Sequence, residues 1–95
     1  MKKIFDDGIM ELTVFPNNYV YIGWLKNEGK FQKLLVKDFR MAEKLIKEKG
    51  YDGWMVASKK QFKGMHRILK KVGAVCAMID LQDQHWYFKK ISKGE

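Results

Sequence analysis

The chain has 95 residues, of which 46% are hydrophobic and 14% aromatic, and this composition is too apolar for an intrinsically disordered protein. The length fits a single domain, 1–95, with one modest core. The 32% of charged residues and the lack of a long apolar run exclude a membrane-spanning helix. The formal net charge of +8 favours polyanionic partners without identifying one.

The N-terminus and the cysteine content favour a cytoplasmic protein. Asp6 and Asp7 follow the N-terminal lysines, where a secretory signal would need an apolar stretch. The single Cys76 can form no disulfide within the chain, which is typical of a reducing compartment. Because Cys76 lies in an apolar run, we expect it to be an inert core residue.

The first half of the chain predicts a β-hairpin followed by a helix. Residues 9–15 and 19–25 are rich in β-forming side chains, and Pro16-Asn17-Asn18 between them predicts a turn. Both faces of the second strand are apolar, so we expect cover on both sides. After a polar loop, a helix is expected from about Gln32 to Lys49 and ends before Gly50. Its apolar stripe comprises Leu35, Phe39, Ala42 and Ile46.

The second half predicts a strand, a helix and a closing hairpin. Residues 54–57 form a short apolar run, after which Ser58 and Gln61 have the spacing of a helix capping box. The second helix is expected to end at Gly73. Its apolar stripe comprises Phe62, Met65, Leu69 and Val72. Strands are then expected at 74–81 and 85–91.

The element order is therefore β-β-α-β-α-β-β, an α/β (α+β) fold with a mixed twisted sheet of about five strands and two crossover helices. Each crossover implies parallel pairing of the strands on either side of the helix. Right-handed crossovers in one direction place both helices on the same face of the sheet. The opposite face then lacks a layer, so we expect a second copy of the chain to cover it in a homodimer.

Two motifs and the closing strand resemble the C-terminal two thirds of GNAT-type N-acetyltransferases, over residues 9–91. Residues 26–35, KNEGKFQKLL, are similar to the family's cofactor loop, Q/R-x-x-G-x-G/A followed by a Leu-Leu pair. Residues 65–74, MHRILKKVGA, are similar to the helix that ends in Gly-Phe, and 86–90 to the last strand. The family's two N-terminal helices have no counterpart, so the resemblance is to a truncated form, such as small phage-encoded members.

The resemblance implies where acetyl-CoA would bind. In the family, backbone N–H groups at the start of a helix bind the cofactor's pyrophosphate. The matching residues here are Lys26, Gly29, Lys30, Phe31, Gln32 and Lys33. Phe31 stands where the family has a second small residue, and its ring is expected to block close approach of the phosphate. The resemblance therefore predicts a degenerate site that binds no cofactor.

The catalytic residues are not identified by the sequence. Many family members place a tyrosine that protonates the departing thiolate at the position of Leu69, which has no proton to give. Leu69 is explained by the apolar stripe alone. His66 and His85 lie on different predicted elements without a third ligand, so no metal site is expected.

Basic side chains recur along both predicted helices. A nucleic-acid or partner surface is expected at Lys37, Arg40 and Lys44 of the first helix and at Lys60, Lys63, Arg67, Lys70 and Lys71 of the second. Two solvated helix faces are the alternative interpretation. Seven aromatic residues of the predicted strands could stack on bases, but we expect most of them to lie in the sheet core or at the interface with the missing layer. These residues are Tyr19, Tyr21, Trp24, Trp54, Trp86, Tyr87 and Phe88.

Three functions follow from these features. The leading hypothesis is a GNAT-like domain without enzymatic activity that acts by binding a macromolecular partner, for example a viral accessory protein against a host factor in the host cytoplasm. One alternative is a minimal acetyl-CoA-dependent N-acetyltransferase. The other is a nucleic-acid-binding protein that uses the basic helix faces. None of the three predicts membrane binding.

Overall fold

The computed structural model describes residues 1–8, 10–24, 26–27, 30–31 and 36–91. Within these ranges, six strands form one sheet, two short strands form a separate ladder, and two helices pack on the sheet. The elements are β1 (Lys2–Asp6), β2 (Met10–Val14), β3 (Tyr19–Trp24), β4 (Lys26–Asn27), β5 (Lys30–Phe31), α1 (Val36–Glu48), β6 (Gly53–Lys59), α2 (Lys63–Lys71), β7 (Val75–Ile79) and β8 (Gln84–Lys90).

The large sheet has the strand order β1-β2-β3-β6-β8-β7. β3 and β6 pair in parallel, and every other neighbouring pair is antiparallel. This mixed sheet with two helices confirms the predicted fold class. Strand β1 was not predicted, because its sequence KKIFD places charged residues at both ends of a short apolar centre.

The predicted parallel pairing across the second helix is wrong. β7 runs in the same direction as β6, but β8 lies between them and pairs with both. The tight turn after β7 lets β8 take either side of its partner, and the inner side buries Tyr87 opposite Val56. Asp80 holds this turn by accepting hydrogen bonds from the backbone N–H groups of Gln82 and Gln84.

Both helices lie on one face of the sheet, as predicted. The indole N–H of Trp54 donates to Glu43 of α1, and the Tyr87 hydroxyl contacts His66 of α2. Trp54 and Tyr87 belong to the same face, since Val56, two residues beyond Trp54, pairs with Tyr87. The side chains of Phe39, Ala42 and Ile46 are fully buried between α1 and this face, and so is Leu69 of α2. Leu35 lies outside the described residues.

The opposite face carries a row of aromatic side chains. Tyr19 packs on Phe88 and Tyr21 on Trp86, with ring centroids 6.2 and 5.8 Å apart. Phe15 stacks on Tyr21 at 5.7 Å. No helix in the described part of the chain covers these rings, and the homodimer expected to cover them remains a prediction.

The capping box predicted at Ser58 is wrong. Ser58 lies inside β6 and pairs with His85, because the β6–β8 ladder continues to Lys59. The second helix starts only at Lys63, and its N-cap residue Phe62 provides no side-chain hydrogen bond. The predicted end of the helix is confirmed, since Gly73 adopts a φ of +90°.

Cys76 is exposed, so its predicted place in the core is also wrong. It lies on β7, and the insertion of β8 makes β7 an edge strand whose five residues are all exposed. The side chains of Val75, Met78 and Ile79 keep 68%, 51% and 56% of their surface in solvent. An apolar run of this kind predicts a central strand, and only the strand order shows that it is an edge.

Candidate functional site

The two parallel strands β3 and β6 part at their carboxyl ends. They pair through three residues each, from Tyr19 opposite Gly53 to Tyr21 opposite Met55. β3 then continues over residues 22–24 and β6 over 56–59, with no further pairing between the two strands in the described residues. Each strand stays paired on its outer side, β3 with β2 and β6 with β8. A gap therefore opens inside the sheet between two margins of backbone N–H and C=O groups.

The chain leaves β3 at this gap and reaches α1 through the predicted cofactor loop. Lys26 and Asn27 pair with Phe31 and Lys30 in the β4–β5 ladder, where the sequence predicts an irregular loop. Gly29, Gln32 and Lys33 lie outside the described residues. The block expected from the Phe31 ring therefore remains a prediction.

Helix α1 begins at the gap and runs away from it. Since α1 connects two parallel strands, its first residues lie near their carboxyl ends and its last residues near the start of β6. The far end is fixed by the N–H of Tyr51, which donates to the carbonyl of Ile46. The amino end of a helix favours negative charge, so the sheet gap and the helix dipole meet at one end of the molecule.

Polar side chains gather where β6 ends and α2 begins, on an otherwise apolar face. His66 Nε2 lies 3.0 Å from the carbonyl oxygen of Lys59, and His66 Nδ1 lies 2.8 Å from the Tyr87 hydroxyl. A carbonyl only accepts, so Nε2 carries the proton and, in the neutral ring, Nδ1 accepts from Tyr87. Burial raises the pKa of Tyr87, and the neighbouring Cys76 adds to the shift. The hydroxyl therefore stays protonated at neutral pH.

No pattern in the sequence indicates that the two histidines are in contact. The His66 and His85 rings pack edge to face with centroids 4.9 Å apart, and His85 Nδ1 lies 3.9 Å from Cys76 Sγ. Their contact follows from the position of β8 beside β6, which the sequence pattern does not fix. Within the described ranges, no group of three His, Cys, Asp or Glu side chains could hold a metal ion.

Glu43 ties α1 to the sheet. It accepts a hydrogen bond of 3.0 Å from the Trp54 indole and forms an ion pair of 2.6 Å with Lys89. Trp54 is fully buried and also packs on Phe39, with ring centroids 5.3 Å apart. This network holds the helix over the strand that borders the gap.

The basic residues predicted to bind a partner all lie exposed on the two helices and on the turn before α2. Because both helices cover one face, these side chains share one side of the molecule. Arg40 and Lys44 also line an open groove of about 640 Å³ between α1 and the end of β8. The other residues that line this groove are Glu43, Lys47, Lys89, Lys90 and Ile91. Lys37, Lys60, Lys63, Arg67, Lys70 and Lys71 do not line it.

Leu69 belongs to the core, as its apolar stripe predicts. Its side chain is fully buried, so α2 offers no proton donor at the position where many GNAT enzymes have a tyrosine.

Neither helix in the described part of the chain is long and apolar enough to cross a membrane.

The strand order, the parted parallel strands and the two helices on one face define a GNAT-like fold. The chain is similar in structure to a crystal structure described as a streptothricin acetyltransferase from Bacillus anthracis in complex with acetyl coenzyme A. The TM-score is 0.69 at 19% sequence identity, over 87% of this chain and 54% of that chain. The chain thus spans about half the length of that protein. No protein-family model and no curated protein matches it.

Proposed function

We propose that the chain is an acetyl-CoA-binding GNAT-like domain that works as a minimal N-acetyltransferase. The observation that carries the proposal is the gap between β3 and β6, whose margins carry backbone N–H and C=O groups with no ladder partner across the gap among the described residues. The similarity to a structure in complex with acetyl-CoA supports the same choice.

The residues of the chain fit this cofactor. Acetyl-CoA supplies the acetyl group as a thioester. Residues 22–24 and 56–59 would hold its amide-bearing arm, and Lys26, Lys30 and Lys33 would attract its phosphates. Ser58, whose buried hydroxyl has no hydrogen-bond partner among the described residues, also lies on the β6 margin. Because Leu69 has no proton to give, the leaving thiol takes its proton from water or from another residue.

Phe31 decides between this proposal and the degenerate site that the sequence predicts. If the ring occupies the place of the pyrophosphate, the wild-type chain binds no acetyl-CoA and acts only through a macromolecular partner. A substitution that removes the ring then restores cofactor binding, because the glycine backbone allows close approach.

Thermal unfolding in the presence of acetyl-CoA tests the proposal. A ligand at 100 times its Kd adds about 2.7 kcal/mol of stability, so the wild-type melting temperature is expected to rise by about 10 °C or more. Inositol hexakisphosphate at the same concentration is the control for unspecific anion binding. Phe31→Gly is measured beside the wild type.

The outcomes separate the hypotheses. A shift of the wild type with acetyl-CoA, larger than with the control anion, supports the cofactor site. A shift in Phe31→Gly alone supports the degenerate site and contradicts the proposal. If the wild type binds acetyl-CoA, the transferase activity is tested by measuring acetylation of a panel of aminoglycoside, polyamine and peptide substrates.

A second candidate function is polyanion binding through the helix side of the molecule. The observation that favours it is the collection of exposed basic side chains on one side, with a groove lined by Arg40, Lys44, Lys89 and Lys90. Such a surface attracts phosphate groups, and its affinity for nucleic acid falls steeply with salt because counterions are released.

Titration with a short double-stranded DNA at two salt concentrations tests this candidate. Arg67→Gln is expected to lower the slope of log K against log salt by about 1 if Arg67 contacts a phosphate. Lys2→Gln, which removes an exposed charge from β1, is the matched control and should leave the slope unchanged. Equal slopes for both variants would contradict a specific surface on the helices.

A further inference from the structure

Ser58 has a buried hydroxyl that the fold does not use. Its residue is 1% exposed, and its Oγ has no hydrogen-bond partner among the described residues. Leaving a buried hydroxyl unpaired costs free energy, whereas alanine at the same place would cost none. The capping role that its sequence position predicts is excluded, because α2 starts at Lys63.

Ser58 lies on the strand margin that borders the gap in the sheet. Ser58 is three residues beyond Met55, the last residue of β6 that pairs with β3, so its strand margin is open. On the other side β6 remains paired, with His85 opposite Ser58. By the alternation of the strand, Ser58 lies on the same face as Trp54, which contacts α1.

The neighbouring histidine on α2 cannot satisfy this hydroxyl. Both ring nitrogens of His66 are occupied, one by the Tyr87 hydroxyl and the other by the Lys59 carbonyl. The contacts of His66 are thus made without Ser58.

We propose that Ser58 Oγ–H donates a hydrogen bond to a carbonyl oxygen of an acyl-CoA arm lying between β3 and β6. This inference rests on the proposed function and names a binding residue for it. The arm of coenzyme A carries two amides, and its acetyl thioester adds a third carbonyl. The open backbone margins provide partners for most of these groups, and Ser58 adds a side-chain donor.

Calorimetric titration of Ser58→Ala with acetyl-CoA tests the inference. We expect the affinity to fall about three- to tenfold, the range for one neutral hydrogen bond. The affinity for adenosine 3′,5′-bisphosphate, which lacks the arm, should stay the same. The melting temperature without ligand should be unchanged or higher, because the variant removes an unpaired buried hydroxyl.

Thr13→Val is the control, since it removes a hydroxyl from β2, a strand that does not border the gap. An acetyl-CoA affinity equal in the wild type and Ser58→Ala would overturn the inference while leaving the cofactor site intact. The inference is also overturned if adenosine 3′,5′-bisphosphate loses affinity by the same factor. Absence of acetyl-CoA binding in the wild type overturns the proposed function, and this inference with it.

Discussion

Glu43 is the acceptor on which the buried indole of Trp54 depends. Glu43→Ala leaves that N–H without a partner and frees Lys89, so we expect the free energy of unfolding to fall by about 2 kcal/mol. Glu43→Gln keeps an oxygen acceptor for the indole and loses only the partly exposed ion pair. Its cost is expected to be below about 1 kcal/mol.

Urea unfolding of the two variants measures this difference. An equal loss in Glu43→Ala and Glu43→Gln would mean that the ion pair with Lys89, and not the indole hydrogen bond, carries the stability. Substitution of Glu48, an exposed acid of α1, by Ala is the control for the loss of a helix carboxylate.

The Tyr21 hydroxyl makes the free energy of unfolding depend on pH in the alkaline range. Burial raises the pKa of its hydroxyl above 10.0, and the Glu11 carboxylate adds to the shift. The unfolded chain therefore releases this proton first as the pH rises, so the free energy of unfolding falls above pH ~10. Below that pH the hydroxyl is neutral in both states and contributes no pH dependence.

The difference between the wild type and Tyr21→Phe isolates this effect from the titration of the lysines. We expect the variant to lose less stability than the wild type between pH ~9 and pH ~11, as measured by urea unfolding. Parallel pH profiles of the two proteins would contradict a raised pKa at Tyr21.

Most apolar residues that recur at helical spacing in this sequence are correctly predicted to be buried. Phe39, Ala42 and Ile46 are fully buried, and so is Leu69. The same reasoning fails for Ser58, because serine favours both a cap and an exposed position and only the length of β6 excludes them. The proposal that Ser58 donates to a ligand depends on its hydroxyl having no hydrogen-bond partner among the described residues. No sequence pattern reveals that a partner is missing.

At the scale of the elements, β6 pairs with β3 on one side and with β8 on the other, and Gly53 takes part in both pairings. A Cβ there would clash with the Lys89 carbonyl oxygen and lie 2.9 Å from a ring carbon of Tyr19. We expect Gly53→Ala to lower the free energy of unfolding by about 3 kcal/mol or more, because the backbone of β8 cannot move without breaking the ladder.

Gly23→Ala is the matched control on β3. Its Cβ would lie 3.3 Å from a ring carbon of Tyr21, a side chain that can shift, and the expected cost is below about 1 kcal/mol. Thermal or urea unfolding of the two variants makes the comparison. Similar losses in both would show that steric crowding at Gly53 is relieved elsewhere in the sheet.

The positions of the strands and helices along the chain were predicted better than the order of the strands in the sheet. Strands and helices follow from periodicity, so both helices and five of the strands were expected near their true positions. The order β6-β8-β7 could not be predicted, because a hairpin partner can lie on either side of its strand and the choice depends on packing of Tyr87. That choice also exposes Cys76 and brings His85 to His66.

For the molecule as a whole, we predict that the exposed edge strand β7 is a surface for association between copies. β7 contains no charged residue, although 32% of the residues in the chain are charged. Exposed edge strands without charged side chains tend to pair with strands of other molecules. We predict that the wild type self-associates with rising concentration and that Ile79→Lys reduces this association. The melting temperature should be nearly unchanged, since 56% of Ile79 is exposed.

Sedimentation velocity over a range of concentrations measures the effect. Met41→Lys, a partly exposed apolar residue on α1, is the control and should associate like the wild type. A wild type that stays monomeric throughout would contradict the predicted homodimer.

The pairing between β3 and β6, called the seam, is short, and we expect the two halves of the sheet to move relative to each other about it. Three residue pairs join the leaf β1-β2-β3 to the leaf β6-β8-β7, whereas seven pairs join β6 to β8 and five join β2 to β3. We therefore expect opening motions to concentrate at the seam, so that its amide hydrogens exchange with solvent faster than those of the β6–β8 ladder. We expect a ligand bound in the gap to contact both leaves and to slow amide hydrogen exchange in both.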